Sequence, residues 1–354
     1  MRKKALWVSP HWHLVLLTLV LFYDILKGTK DRRLAMYSFI VNPNASGGRG
    51  ERIWRRLEKQ LKHLGVPYEA FVTEKTGDAR RLACDLTEHQ REPRILIAVG
   101  GDGTVSEVLD GISFCGPVTL GYIPTGSGND LARSLRLPKS PSRCLKKILN
   151  PKYHKLLDYG VLSYGDHLTH RRFMVSTGIG MDAMVCQDIL HSKTKRGLSK
   201  VGLGKLSYML VGAKRILFTR PVKGYLVLDG AQKVEFNHIY FVAVHNHPYE
   251  GGGFRFAPGA DPGDGRLNVC VIHSASRLRV LKLLISALFG MTKKKKNRIR
   301  CYTCQEVEIH MDQPMAVHAD GEDCLCQQDI HVRCIPQKLR MIVRRKLPDK
   351  TRAS

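Results

Sequence analysis

Three apolar segments of this chain each run directly into a glycine- or serine-rich turn: "YSFIVNPNASGG", "RILIAVGGDGT" and "VTLGYIPTGSGND". A buried strand that ends in such a turn, three times over, leaves few architectures open. Between these segments the pattern is helical. Ile53, Trp54, Leu57, Leu61 and Leu64 recur at helical spacing and stop at Gly65, a C′ glycine. "YEAFVT" reads as another strand, and "GDARRLACDLTEH", "TVSEVLDGI" and "NDLARSL" as helices. Strands alternating with helices imply a parallel sheet covered on both faces, with ligands at the carboxyl ends of its strands. All three turns lie at those ends.

Past about residue 150 the pattern changes to period-two strands, among them "KLLDYGVLSY", "RRFMVST", "GYLVLDG", "HIYFVAVH", "RLNVCVIH", "EVEIHM" and "IHVRCI", interrupted by helices near 205–218 and 276–290. The chain therefore divides into an extension (1–35), an α/β domain (36–150), a β-rich domain (151–335) and a final strand with a basic tail (336–354). The last strand, "LRMIV", is free to return to either domain.

The turn "GGDGT" carries the first chemistry. Gly100, Gly101 and Gly103 permit positive φ and let a phosphate approach backbone N–H groups, while the helix that follows aims its N-terminal amides at the same place. Asp102 beside a polyphosphate would be repelled unless a cation bridges them, which implies Mg²⁺. A tight strand-to-helix turn would explain one or two of these glycines but not three. "PTGSGND" repeats the device, with Ser127 offering a hydroxyl and Asp130 either a ligand or a helix cap. No G-K-[ST] follows, so this is not a Walker A loop. "TGIGMDA" contains G-x-G-x-x-A, but no Asp or Glu occurs between Asp188 and Asp229 to bind a ribose, so a dinucleotide fold is rejected. In the β-rich half, Asp261 and Asp264 sit in the glycine turn "ADPGDG", Asp320 and Glu322 in "HADGEDC", and Gly251 to Gly253 form a third glycine cluster. Each carboxylate is either a hairpin turn or a group able to take a proton from an acceptor hydroxyl.

Charge selects the partner. Lys and Arg number 57 against 31 Asp and Glu, a net +26. The windows 189–228 and 266–305 contain no acidic residue, and both hold apolar helical runs beside their lysines, Lys293 to Lys296 included. That pattern favours an anionic membrane surface over a merely solvated face; the absence of interleaved aromatics argues against nucleic acid. The apolar stretch Leu14 to Phe22 is too short to span a bilayer, which needs about 20 residues. An interfacial anchor, an uncleaved signal-like segment and translation from Met36 all remain open. Cys301 and Cys304 with Cys324 and Cys326 have knuckle-like spacing but lie on strand patterns, so reduced thiols are favoured over zinc. Oligomeric state is not encoded in any feature of the sequence, and a homodimer is one reading.

Taken in order, "NPNASGG", "TEKTGDA", "GGDGTVSEVLDG", "IPTGSGNDLAR", "TGIGMDA", "GGGFRFAPGADPGDGRLNV" and "HADGE" resemble the diacylglycerol kinase catalytic family in its bacterial lipid kinase branch, with sphingosine and ceramide kinases as more distant relatives. The resemblance implies an NAD-kinase-like α/β nucleotide domain followed by a β-sandwich-like domain. It implies transfer of the ATP γ-phosphate to a lipid hydroxyl, diacylglycerol giving phosphatidic acid, at the cytoplasmic face of a membrane. By position it places Asn42, Pro43, Asn44, Ala45, Ser46, Thr73, Gly101, Asp102, Gly103, Thr104, Val105, Ser106, Glu107 and Ser127 around the nucleotide. Asp102 and Asp130 would organise Mg²⁺ and the phosphates, with Glu322 as proton acceptor. A structural Mg²⁺ would bind the Asp264 carboxylate and the backbone carbonyls of Asp261 and Arg266. Two positions depart from the family pattern: Ser127 stands where threonine is common, and Ser106 where asparagine is often found. A phosphatidylglycerol or sphingoid-base kinase, a soluble NAD kinase and a catalytically silent phosphate- or lipid-binding regulator are the rival readings.

Overall fold

A computed structural model of the chain describes residues 36–165, 168–191, 204–288 and 299–344. The apolar stretch 14–22 and the lysine run 293–296 lie outside the described residues.

Strands β1 (Met36–Val41), β2 (Tyr68–Val72), β3 (Arg94–Gly100) and β4 (Val118–Pro124) pair in parallel in the order β2-β1-β3-β4. Helices α1 (Ala45–His63), α2 (Asp78–Thr87), α3 (Asp102–Gly111), α4 (Asp130–Ser134) and α5 (Pro141–Leu149) follow in sequence. The inner strands β1, β3 and β4 are mainly apolar because both their faces are covered, whereas the edge strand β2 is largely exposed. Phe39, Val41, Ile97, Val99 and Ile123 pack on one side with Trp54, Leu57 and Leu61 of α1. Ile40, Leu96, Ala98, Leu120 and Tyr122 pack on the other with Val105, Val108 and Leu109 of α3. Each such side chain contributes roughly 1.5–3 kcal/mol when fully buried. Helix α5 has no counterpart in the periodicity of the sequence. Pro141 opens it, and only Cys144, Leu145 and Ile148 are buried, too short an apolar stripe to stand out.

The second half is antiparallel: β5 (Tyr153–Tyr164), β6 (Thr169–Phe173), β7 (Ser176–Gly180), β8 (Val222–Leu228), β9 (Gln232–His245), β10 (Leu267–His273), β11 (Ile299–Cys304), β12 (Glu306–Ala319) and β13 (Glu322–Val343). Helices α6 (Met181–His191), α7 (Gly204–Phe218) and α8 (Arg277–Leu288) are inserted among them. The motif "TGIG" lies in β7, antiparallel between β9 and β12, so it is not the phosphate turn of a dinucleotide fold.

"IHVRCI" and "LRMIV" belong to one strand. β13 runs antiparallel to β12 and β5, then ends in parallel with β4, pairing Arg340 with Thr119 and Met341 with Leu120. Its register against β5 shifts between Ile335 and Leu339. Pro336, which has no N–H to donate, and Gln337 at φ +47° lie in that bulge. The strand left open by the sequence thus returns to the α/β half.

If β13 is integral to that half, Met341→Ala, at a wholly buried site in the α2–α4 core, lowers unfolding free energy by about 2–5 kcal/mol. Urea denaturation measures this; a loss below about 0.5 kcal/mol would show the return strand to be peripheral.

Candidate active site

The loops after β1, β3 and β4 are bound to one another at the carboxyl edge of the parallel sheet. The N–H groups of Thr125 and Gly126 donate to the Gly100 carbonyl at 2.7 and 3.2 Å. Ser46 Oγ donates to the Thr125 carbonyl at 2.8 Å, and Asn42 Nδ2 to Thr104 Oγ1 at 3.1 Å. Thr73 is buried, its N–H donating to the Val41 carbonyl at 2.9 Å. Pro43, Asn44, Ala45 and Ser46 occupy the turn after β1, where Ser46, Gly47 and Gly48 take φ of +51°, +68° and +91°. The chain is therefore not yet helical at the start of α1.

The glycines of "GGDG" work differently from the sequence expectation. Gly100, Gly101 and Gly103 do not have positive φ; Gly101 is at −94°. A Cβ at Gly100 would fall 2.3 Å from Thr104 Oγ1, and one at Gly126 would fall 2.5 Å from the Gly101 Cα. Gly100 and Gly101 thus permit loops to pack against loops. Only Gly103 faces open space, where a Cβ would meet no heavy atom within 4 Å.

The side chains of α3 address three different neighbours. Asp102 accepts the N–H groups of Asp130 and Leu131 at 3.0 and 3.2 Å, capping α4. Ser106 hydrogen-bonds Asp320, whose carboxylate also accepts the N–H groups of Met174, Val175 and Ser176 at 2.6–3.0 Å. Glu107 accepts the N–H groups of Gly77 and Ala79 at 3.0 and 3.2 Å, at the start of α2. Val105 is wholly buried, so its side chain belongs to the core and not to a ligand surface. Ser127 is exposed at the tip of its loop.

Asp130 is buried against Asp102 and ion-paired to Arg133, and its Oδ2 accepts the Gly252 N–H at 2.6 Å. Gly251, Gly252 and Gly253 all have positive φ, +62° to +116°, which is what lets that loop turn its backbone onto the carboxylate. Burial, with the Asp102 charge beside it, pushes the Asp130 carboxyl up to about 7; burial raises Asp102 as well. Two acids held together in this way suit a hard cation that prefers oxygen ligands.

Glu322 begins β13, after a hairpin in which Asp320 and Gly321 take φ of +50° and +84°. It ion-pairs with Arg171, and Arg80 lies 3.9 Å away. Burial raises its pKa and Arg171 opposes that rise.

The Asp264 loop is compact. The Asp261 carbonyl accepts the N–H groups of Gly263 and Asp264 at 2.8 and 3.3 Å, its carboxylate pairs with Lys155 at 3.2 Å, and Asp264 accepts the Arg266 N–H at 3.0 Å. A cation at the Asp261 carbonyl would compete with those two N–H groups. Pattern reading missed Asp158, wholly buried beside this loop, which accepts the N–H groups of Gly265 and Gln337 at 2.8 and 2.7 Å. Its signal was a charge inside the apolar strand "KLLDYGVL". Also missed was a group of half-buried Asp182 and Glu250 around buried His318, with ligand atoms within 4.8 Å of one another. His318 Nδ1 accepts the Gly321 N–H at 3.1 Å, so in the neutral ring Nε2 carries the hydrogen and faces the two carboxylates as a donor, not as a metal ligand.

The profile of the diacylglycerol kinase catalytic domain matches residues 36–160, and that of the YegS C-terminal NAD kinase beta sandwich-like domain matches residues 174–343. The chain is 28% identical over 291 residues to YtlR of Bacillus subtilis, covering 82% of this chain and 94% of that protein. It is 25% identical over 304 residues to a diacylglycerol kinase of Mycobacterium tuberculosis, covering 86% and 93%. A YegS-like protein of Chromohalobacter salexigens is 30% identical over 273 residues, covering 76% and 80%. The fold is that of a diacylglycerol kinase crystal structure from Bacillus anthracis, with a TM-score of 0.65 at 20% identity, over 89% of this chain and 98% of the other.

The raised Asp130 carboxyl has a measurable sign. A folded-state value above the unfolded one stabilises the protein at low pH, and that stability is lost as pH rises from about 4 towards 7. In metal-free buffer, Asp130→Asn therefore raises the melting temperature by a few degrees at pH 8 and leaves it unchanged at pH 4. Equal effects at both pH values would mean that the carboxyl is not under this strain.

Proposed function

Because this chain belongs to the diacylglycerol kinase catalytic family, in its bacterial lipid kinase branch, and is thus a phosphotransferase, we propose that it transfers the γ-phosphate of ATP to the hydroxyl of diacylglycerol. The observation that carries this reading is the convergence of Asp102, Asp130 and the Gly252 backbone at the edge of the parallel sheet. Residues 36–150 hold the nucleotide and 151–335 receive the lipid. The turn from Asn42 to Ser46, Thr73, the segment from Gly101 to Glu107, and Ser127 offer hydroxyls and backbone N–H groups to the phosphates. Asp102 and Asp130 would hold Mg²⁺, which when bound offsets phosphate charge. In this site burial already disfavours the two ionised carboxylates, and a divalent ion relieves that cost. Asp264 would serve a second, structural ion.

Glu322 accepts the proton of the acceptor hydroxyl. The hydroxyl oxygen forms the new bond to the γ-phosphorus, the bond to the β–γ bridging oxygen breaks, and ADP leaves with that electron pair. The alternative acceptors, phosphatidylglycerol and a sphingoid base, present a hydroxyl too, beside an anionic phosphodiester in the first and an amine in the second.

Membrane docking falls to the helical insertions. No helix among the described residues is long and apolar enough to cross a membrane. Phe218, at the end of α7, is 72% exposed and Leu278, on α8, is 73% exposed, with Arg220, Arg277, Arg279 and Lys282 nearby in sequence. Apolar side chains set among cations suit an anionic lipid surface.

Phosphate transfer from radiolabelled ATP to a lipid panel tests the reading, with Asp102→Ala as control. Glu322→Gln lowers turnover on the true acceptor by about 10²–10⁴-fold; full turnover would remove Glu322 as the base. Phe218→Glu with Leu278→Glu weakens sedimentation with phosphatidylglycerol vesicles and leaves nucleotide binding intact. Unchanged sedimentation would place the docking surface elsewhere.

A further inference from the structure

Glu322 is not an isolated carboxylate. Two guanidinium groups and two carboxylates close a ring at this corner of the site. Arg80 Nε lies 2.8 Å from Asp110 Oδ2, and Arg171 Nε 3.3 Å from the same oxygen. Arg171 Nη2 pairs with Glu322 Oε2, and Arg80 Nη2 lies 3.9 Å from that atom. Asp110 is itself fixed, its Oδ1 accepting the Arg172 N–H at 2.9 Å. It sits at the far end of α3, the helix that "GGDG" opens. A continuous set of contacts therefore runs from the glycine-loop helix through Asp110 and Arg171 to Glu322.

We infer that Arg171 is the positioning residue of the phosphotransfer step: held by Asp110, its guanidinium keeps the Glu322 side chain aimed and in its charged form. The inference rests on the assignment of Glu322 as proton acceptor. The physical need for such a residue is clear from the other groups that face Glu322. Burial disfavours its charge, and Glu107 of α3 disfavours it further. The Cys324 thiol, two residues along β13, offers no cation. Among the described residues, Arg171 of β6 and Arg80 of α2 are the cations that oppose these effects, and Arg171 is the closer. A protonated carboxyl could not accept the hydroxyl proton, and loss of Arg171 moves Glu322 towards that protonated form. Arg171 and Glu322 have side-chain exposures of 16% and 19%, buried enough for the pairing to count and open enough for an acceptor to reach the carboxylate. Among the described residues β6 pairs with β5 alone, so a substitution there disturbs one strand partner. The sequence offered no pointer to this role: "THRRF" reads as an ordinary basic strand.

The test is a ¹³C NMR titration of glutamate-labelled protein, with the Glu322 carboxyl signal assigned by its loss in E322Q, alongside turnover of dioleoylglycerol in phosphatidylglycerol vesicles with Mg·ATP. Removing a neighbouring positive charge raises a carboxyl, so in R171M the Glu322 midpoint moves up by about one pH unit or more. About one pH unit below the new midpoint, turnover falls about tenfold, and it recovers as pH rises past that midpoint. R171K, which keeps the charge but not the planar fork, restores most of the midpoint and only part of the turnover. Melting temperatures of the variants confirm folding. A midpoint in R171M equal to that of the parent overturns the inference, since a merely structural arginine would alter stability without moving it. If E322Q keeps full turnover, the base assignment fails instead. The titration still reports whether Arg171 sets the Glu322 charge, so the two failures are told apart.

Discussion

A strand of 22 residues, β13, is hydrogen-bonded along most of its length to the antiparallel β12 and β5, and at its end in parallel to β4. Its first residue is Glu322, and Met341 near its end is wholly buried in the α/β core. The position of Glu322 relative to the glycine loops is thereby set through a hydrogen-bond ladder, not through a hinge. Register shifts against β12, between Asp323 and Cys326 and between Gln327 and Asp329, and the bulge at Pro336 and Gln337, where the strand passes from one half of the sheet to the other, interrupt that ladder. A phosphotransfer reaction needs its proton acceptor and its nucleotide held to within fractions of an ångström, and a shared strand is a stiff way to hold them.

At the other side of the site, order comes from side chains acting as caps. Asp102, Glu107 and Asp320 each accept two or more backbone N–H groups from a segment distant in sequence. Carboxylates suit this because each oxygen takes more than one donor, and the helix N-termini that Asp102 and Glu107 meet carry a partial positive charge. Not every acid is so well compensated. Asp130 has one cation, Arg133, against burial and a neighbouring acid, and its carboxyl rises to about 7. Such tension is tolerated where a further ligand relieves it, and it is concentrated at the loops that meet the proposed nucleotide.

The inner parallel strands were legible because burial on both faces makes them mainly apolar, and the turns after them because glycine and serine are unusual there. Helix α5 was not legible, since three buried residues over nine make too faint a stripe. The role of the glycines was misjudged for a related reason. Composition says that a Cβ is unwelcome at Gly100 and Gly126, but only coordinates reveal that the obstacle is Thr104 or Gly101 of the protein itself. Arg80, Arg171 and Asp110 have no sequence signature at all, because a salt-bridge ring drawn from a helix start, a helix end and an edge strand has no spacing to recognise.

By itself the sequence determined the layered α/β half, the edge of the sheet where ligands gather, and a set of motifs that names the family. Those features depend on local periodicity and on residue types needed at single positions, so a linear reading reaches them. The tertiary structure alone decided that the last strand returns to the first half, that Asp102 caps the helix bearing Asp130, and that Glu322 is gripped by Arg171. Each of these joins residues at least 28 positions apart, and such pairings follow from how distant segments pack in three dimensions, which no local pattern encodes.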